Sequence, residues 1–237
     1  MRTFRAKSGP FPEQPFYEPA EVESMCLNEL QRVGLYPADP CPIRIDRFIE
    51  KRFGIVPSYE DLPKGLLGLT RFSDQGVVEI VIANALDEEG TQSADRRLRT
   101  TLAHEGGHGL LHAHLFALGS RPDSLFEHEL ATDAPKILCR DEAVQGAGRT
   151  AKKPRYRWWE YQANLAMSAL LLPGTLVTKS LEPMLTAQGM LKRLSLPNDR
   201  REDAVDLLAS LFDVNPVVAR IRLEMLYPVI ASRQMAL

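Results

Sequence analysis

The segment LRTTLAHEGGHGLLH places His104 and His108 four residues apart, with Glu105 directly after the first. Side chains at that spacing on an α-helix lie about 40° apart around the axis and about 6 Å apart along it, so both imidazoles can reach one ion. Two neutral nitrogen donors suit Zn²⁺, which favours four-coordinate sites of nitrogen, sulfur and oxygen. Glu105 falls on an adjoining part of the same face. It can take a proton from a metal-held water without being a ligand itself. The flanking pattern of Leu98, Leu102, Leu110, Leu111 and Phe116, opened by Ser93, predicts the long helix that this chemistry needs.

Gly106, Gly107 and Gly109 interrupt that helix. Three glycines weaken a helix by roughly 3 kcal/mol against alanine, and a purely structural helix gains nothing from them. A crowded site, or a substrate backbone passing close by, accounts for small residues there. Chance occurrence of the five-residue motif is the competing explanation, and its position in mid-helix outweighs it.

A catalytic zinc has three protein ligands and keeps one position open. His114, ten residues past His104, would need a glycine turn at the seventh position, where this chain has Leu111. On a continuous helix it lies about 15 Å up the axis and points elsewhere. His112 is also too far along for the same ion and is read as a packing or supporting histidine. Glu127 and Glu129 stand in loop-like surroundings. Glu160 opens WWEYQANLAMSALLLP, and Ala163, Asn164 and Met167 share its helical face. Small Ala163 permits close approach to the HEGGH helix. Asn164 could accept a hydrogen from a ligand imidazole and fix its tautomer. A solvated glutamate near a helix start is the plain alternative for Glu160, and the context favours the ligand.

Around this centre the chain reads as α+β. Residues 1–19 carry Pro10, Pro12, Pro15 and Pro19 and are expected to be an extended arm, not an element. A helix follows through Val22, Cys26, Leu30 and Val33 to Gly34. A second runs through Ile45, Phe48, Ile49 and Phe53 to Gly54. Residues 66–72 and 77–83 form a β-hairpin around Ser73-Asp74-Gln75-Gly76, with a possible further strand at 55–59. Residues 119–157 are irregular apart from a short strand near 136–139. Residues 158–172 are helical up to Pro173-Gly174, and helix resumes beyond about 185. The expected division is an arm (1–19), a metal-binding domain (20–184) and a C-terminal helical unit (185–237).

Composition narrows the setting. The 237 residues are 44% hydrophobic and 25% charged with a formal charge of −2, so no global field points to nucleic acid or an anionic membrane. No apolar stretch approaches the ~20 residues of a membrane span, and no apolar run backs the basic N-terminus as in a secretory signal. Three scattered cysteines argue for a reducing compartment, so a cytoplasmic protein is expected.

The hairpin leading into LAHEGGHGLLH, and the later ExxAN stretch ending in LLLP, resemble the ImmA/IrrE family of metallopeptidases over roughly residues 43–173. The resemblance implies a zincin-like peptidase domain. It implies His104, His108 and Glu160 as ligands of one Zn²⁺ ion and Glu105 as the general base. It further implies a protein substrate, such as a helix-turn-helix repressor. The family usually has a bulkier residue where Gly106 stands, a phenylalanine near Leu165, and a shorter gap between the two motifs.

Weaker signals remain. Residues 204–212, a turn at 213–216 and residues 217–226 resemble a helix-turn-helix, with Arg220 and Arg222 as candidates to face phosphate or a base edge. A helical pair packed on the catalytic domain is favoured over DNA binding, because the second helix has few basic residues. The basic run at 149–157 reads as a solvated loop. Cys139 is read as an inert thiol ahead of a latent fourth ligand. Tyr156, Tyr161 and the histidines past the motif are candidate oxyanion donors. Residues 77–83 are a candidate edge for β-addition of an extended substrate. The alternatives to a peptidase are a DNA- or protein-binding regulator with a structural zinc, and a metallohydrolase of a non-peptide bond.

Overall fold

The computed structural model describes residues 2–5, 13–117, 136–140, 158–188 and 193–229. Among the described residues it is a mixed α+β structure of eight α-helices and three small sheets. No helix among them is long and apolar enough to cross a membrane.

The N-terminal segment differs from the expected lone arm. Strands β1 (Arg2–Arg5) and β2 (Glu13–Phe16) pair antiparallel, with Thr3 opposite Pro15. Pro10 and Pro12 fall between the two strands, and a two-stranded ribbon tolerates the missing N–H of Pro15 on an open edge. Helix α1 (Pro19–Arg32) follows. Proline at its first position needs no N–H there, and the Glu21 carboxylate accepts from the Glu18 N–H at 2.7 Å. Helix α2 (Ile45–Phe53) stops at Gly54, whose φ of 74° lies in the left-handed region that glycine enters at no steric cost.

Strands β3 (Ser58–Glu60), β4 (Leu66–Ser73), β5 (Gly76–Ala83) and β6 (Lys136–Arg140) form one sheet in the order β3-β5-β4-β6. The β4–β5 hairpin turns where its polar tetrapeptide predicts, and the Ser73 hydroxyl accepts from the Gln75 N–H at 3.1 Å. Strand β5 is an inner strand over only part of the edge that residues 77–83 suggested. β4 pairs along it on one side, and β3 pairs with Val81 through Ala83 on the other. The outer strands are β3 and β6, a consequence of non-local pairing that hydrophobic pattern does not encode.

Short helix α3 (Asn84–Glu88) leads into α4 (Gln92–Ala117), which packs against β4 and β5. Helix α5 (Trp158–Leu171) packs on α4 and on α1. Helix α5 ends ahead of Pro173-Gly174 as expected, but a new helix, α6 (Gly174–Leu181), starts there at once. Nor is the stretch beyond 185 helical at once. Strands β7 (Thr186–Gln188) and β8 (Arg193–Ser195) pair before α7 (Arg201–Leu211) and α8 (Pro216–Leu226). The last two helices share the main core. Ala204, Leu208, Phe212, Val218 and Leu223 are buried in one cluster with Cys26, Phe48, Leu102 and Leu170.

Two polar links fix this C-terminal pair. Asp213, in the α7–α8 turn with φ of 50°, accepts from Arg96 at 2.8 Å and from Arg99 at 2.9 Å on α4. Arg222 is 2% exposed; it donates to the Leu172 carbonyl at 2.9 Å and pairs with Glu23 of α1. Glu23 also accepts from the Gly174 N–H at 2.7 Å, so one carboxylate and one guanidinium join α1, the α5–α6 junction and α8. Arg222 therefore does not face phosphate or a base edge, and Arg220 is engaged with Glu202 at 2.6 Å. The sequence reading missed this because a guanidinium inside a core leaves no periodic signature. Breaking a buried pair strands the remaining charge, which costs more than the pair contributes. Arg222→Ala should lower stability by about 3 kcal/mol in urea unfolding, with an unchanged m-value.

Candidate metal centre

The site lies where α4 and α5 run antiparallel, His104 facing Asn164 and His112 facing Trp158. The approach is set by Gly107. A Cβ there would lie 3.0 Å from the Ala163 carbonyl oxygen and 3.0 Å from the Ala166 Cβ. Backbone and a methyl group cannot rotate away, so only glycine allows this separation. Gly107 thus serves helix packing, not the passage of a substrate backbone. At Gly109 a Cβ would meet the Phe53 ring at 2.7 Å, while at Gly106 it would meet nothing nearer than 3.8 Å.

At this contact His104, His108 and Glu160 each turn one ligand-type atom inward, and these atoms lie within 4.8 Å of one another. The two Nε2 atoms are 3.0 Å apart, and Glu160 Oε2 lies 3.2 Å from His104 Nε2 and 3.8 Å from His108 Nε2. Ligands at zinc bond lengths of about 2.1 Å stand roughly 3.3 Å apart around a tetrahedral ion. The three donors match that spacing. Among the described residues this is the cluster whose donor set fits a metal ion, and His114 does not belong to it.

The surroundings orient the donors. His104 Nδ1 lies 3.0 Å from Asn164 Oδ1. An amide oxygen only accepts, so His104 carries its proton on Nδ1 and, when neutral, directs a bare Nε2 at the cluster. Two bare nitrogens and a carboxylate facing one another repel unless a cation sits among them. Both imidazoles are fully buried, and burial holds His108 below its ordinary value despite the nearby Glu160. Burial pushes the Glu160 carboxyl up, but hydrogen bonds from His104 and His108, which need a proton on the facing Nε2 atoms when no metal is bound, outweigh burial and keep it ionised, the form that binds a cation. The Glu160 side chain is 14% exposed, whereas both imidazoles are fully buried.

Glu105 points to the sheet side of α4 and is fully buried. The Thr70 hydroxyl of β4 donates to its Oε2. Gly68, two residues earlier on β4, lies so close that a Cβ would come within 3.2 Å of Glu105 Oε1 and 2.9 Å of the Thr101 methyl. The sheet thus grips the carboxylate from one side while α5 supplies the third donor from the other. His112 stands behind His108, with the two Nδ1 atoms 3.0 Å apart.

Sequence reasoning anticipated His104, His108, Glu160, Glu105, Asn164 and His112; the structure links five of them in one set of contacts, while the Glu105 carboxylate is held on the sheet side against Thr70 and Gly68. It missed Thr70, Gly68 and Gln162. A threonine inside the apolar run of β4, and a glutamine that is 3% exposed in α5, were the available signals. Glu127, Glu129, Tyr156 and the basic run at 149–157 lie outside the described residues, as does the side chain of Cys139, whose backbone pairs with Gly68. Tyr161 is 44% exposed on α5. Compared with models of known protein families and with curated proteins, the sequence matches none.

If the α4–α5 contact is as tight as Gly107 implies, Gly107→Ala should lose about 1–3 kcal/mol through overpacking. Gly106→Ala has room and should gain up to about 1 kcal/mol of helix propensity. Thermal unfolding of the two variants should therefore shift in opposite directions.

Proposed function

We propose that the chain is a zinc-dependent hydrolase, and more narrowly a metallo-endopeptidase of the ImmA/IrrE type with a zincin-like domain. The observation that carries this reading is the convergence of His104, His108 and Glu160 on one point, with Glu105 next in the chain after His104 and held by Thr70. Three protein donors among the described residues, one of them on a partly exposed side chain, suit a catalytic ion, whereas a structural zinc is closed by four protein ligands. That distinction weighs against a regulator with a structural zinc. The burial of Arg222 weighs the same way, because it removes a basic group from the last helix.

Zinc bound at this point would supply a Lewis acid that brings the pKa of a water towards ~7 and polarises a carbonyl. Glu105 takes a proton from the attacking water and later delivers it to the departing amine. The C–N bond breaks, and the water oxygen remains on the carbonyl carbon as part of the new carboxylate. Thr70 holds the Glu105 carboxylate through its Oε2. Asn164 and His112 hold the imidazoles, so little reorganisation accompanies the proton transfers. The proposed substrate is a regulatory protein such as a helix-turn-helix repressor, in the cytoplasm.

Glu105→Gln should keep one zinc per chain but lose hydrolysis by about 10²–10⁴-fold. Glu160→Ala should lose the metal itself. Metal content by atomic emission, alongside mass mapping of fragments from a candidate repressor, checks both. Hydrolysis by Glu105→Gln at the wild-type rate would remove Glu105 as the base, and a wild-type chain that takes up no zinc would sink the reading.

A further inference from the structure

Beyond His108 a line of buried contacts leaves the metal centre and ends on the N-terminal ribbon. His112 Nδ1 lies 3.0 Å from His108 Nδ1, and His112 Nε2 lies 3.1 Å from Gln162 Oε1. Gln162 Nε2 in turn donates to the Pro15 carbonyl of β2 at 2.8 Å. His108 and His112 are fully buried and Gln162 is 3% exposed, so water does not substitute for any member.

The directions along this line are forced from its far end. A backbone carbonyl only accepts, so Gln162 must present its NH₂ to Pro15 and its oxygen to His112. That oxygen also only accepts, so His112 carries its proton on Nε2 and leaves Nδ1 bare. A bare Nδ1 at 3.0 Å requires a donor, which places the His108 proton on Nδ1. His108 Nε2 is then a lone pair aimed into the donor cluster. The opposite sequence of tautomers would put a proton on His108 Nε2, in the position a metal must occupy.

We propose that Gln162 is a positioning residue: anchored on the Pro15 carbonyl, it sets the tautomers of His112 and His108 and so couples the seating of the β1–β2 ribbon to metal affinity. The proposal rests on reading the cluster as a metal site but not on the reaction it performs. Partners of a ligand imidazole one contact away typically change metal affinity by about 10–100-fold when removed. The line here is one contact longer, and its last member belongs to a different element from either metal helix.

Two measurements on the full chain test it. Long-range ¹H–¹⁵N spectra of ¹⁵N-histidine-labelled protein report which ring nitrogen carries the proton, with or without zinc. The expected pattern is Nε2–H for His112 and Nδ1–H for His108; the reverse pattern overturns the proposal without any substitution. Competition against a chromophoric chelator should then show Gln162→Met binding zinc about tenfold more weakly or worse, with the His112 signal no longer confined to one tautomer and the helical circular dichroism retained. Wild-type affinity in that variant overturns the relay and leaves the hydrolase reading standing. Absence of zinc binding by the wild-type chain overturns both, while loss of cleavage alone with this zinc difference intact would overturn only the hydrolase reading.

Discussion

The close antiparallel contact of α4 and α5 around Gly107 is the constraint on which the rest of the centre depends. Glycine there lets the Ala163 backbone and the Ala166 methyl come within reach of α4. Glu160 and Asn164 are thereby carried to the level of His104 and His108. A side chain at position 107 would separate the helices, and donors spaced to share one ion would move beyond its reach. Glycine in a helix interior sacrifices propensity, and here it allows two helices to form one site.

Around that contact several buried polar side chains meet a partner of the right kind. His104 is held by Asn164, His108 by His112, His112 by Gln162, and Glu105 by Thr70. Buried polar groups without partners are costly, so this arrangement resists alternative side-chain positions. It also draws on four elements, β2, β4, α4 and α5, which makes the donor geometry a property of the whole packing and not of the motif alone.

The C-terminal helices belong to the same argument. They do not sit apart from the main hydrophobic core but complete it, through Phe212, Val218 and Leu223 and through the links of Asp213 and Arg222. Asp213 grips the first turns of α4, the helix that carries both histidines, so the C-terminal pair buttresses the start of the metal helix.

Much was legible in the sequence because it is local. Helical period, the serine-to-glycine turn of the hairpin, Gly54 as a helix end and the four-residue spacing of His104 and His108 depend only on neighbouring residues. Even Glu160 and Asn164 could be chosen, since they share a face of one helix. What tertiary structure decided is non-local. The pairing of β1 with β2 around three prolines and the interior place of β5 came from contacts that no local pattern records. The same holds for the burial of Arg222 and the roles of Thr70 and Gln162. Local geometry fixes which way a side chain points from its own backbone; only packing fixes what it meets, and charge and hydrogen-bond chemistry depend on what is met.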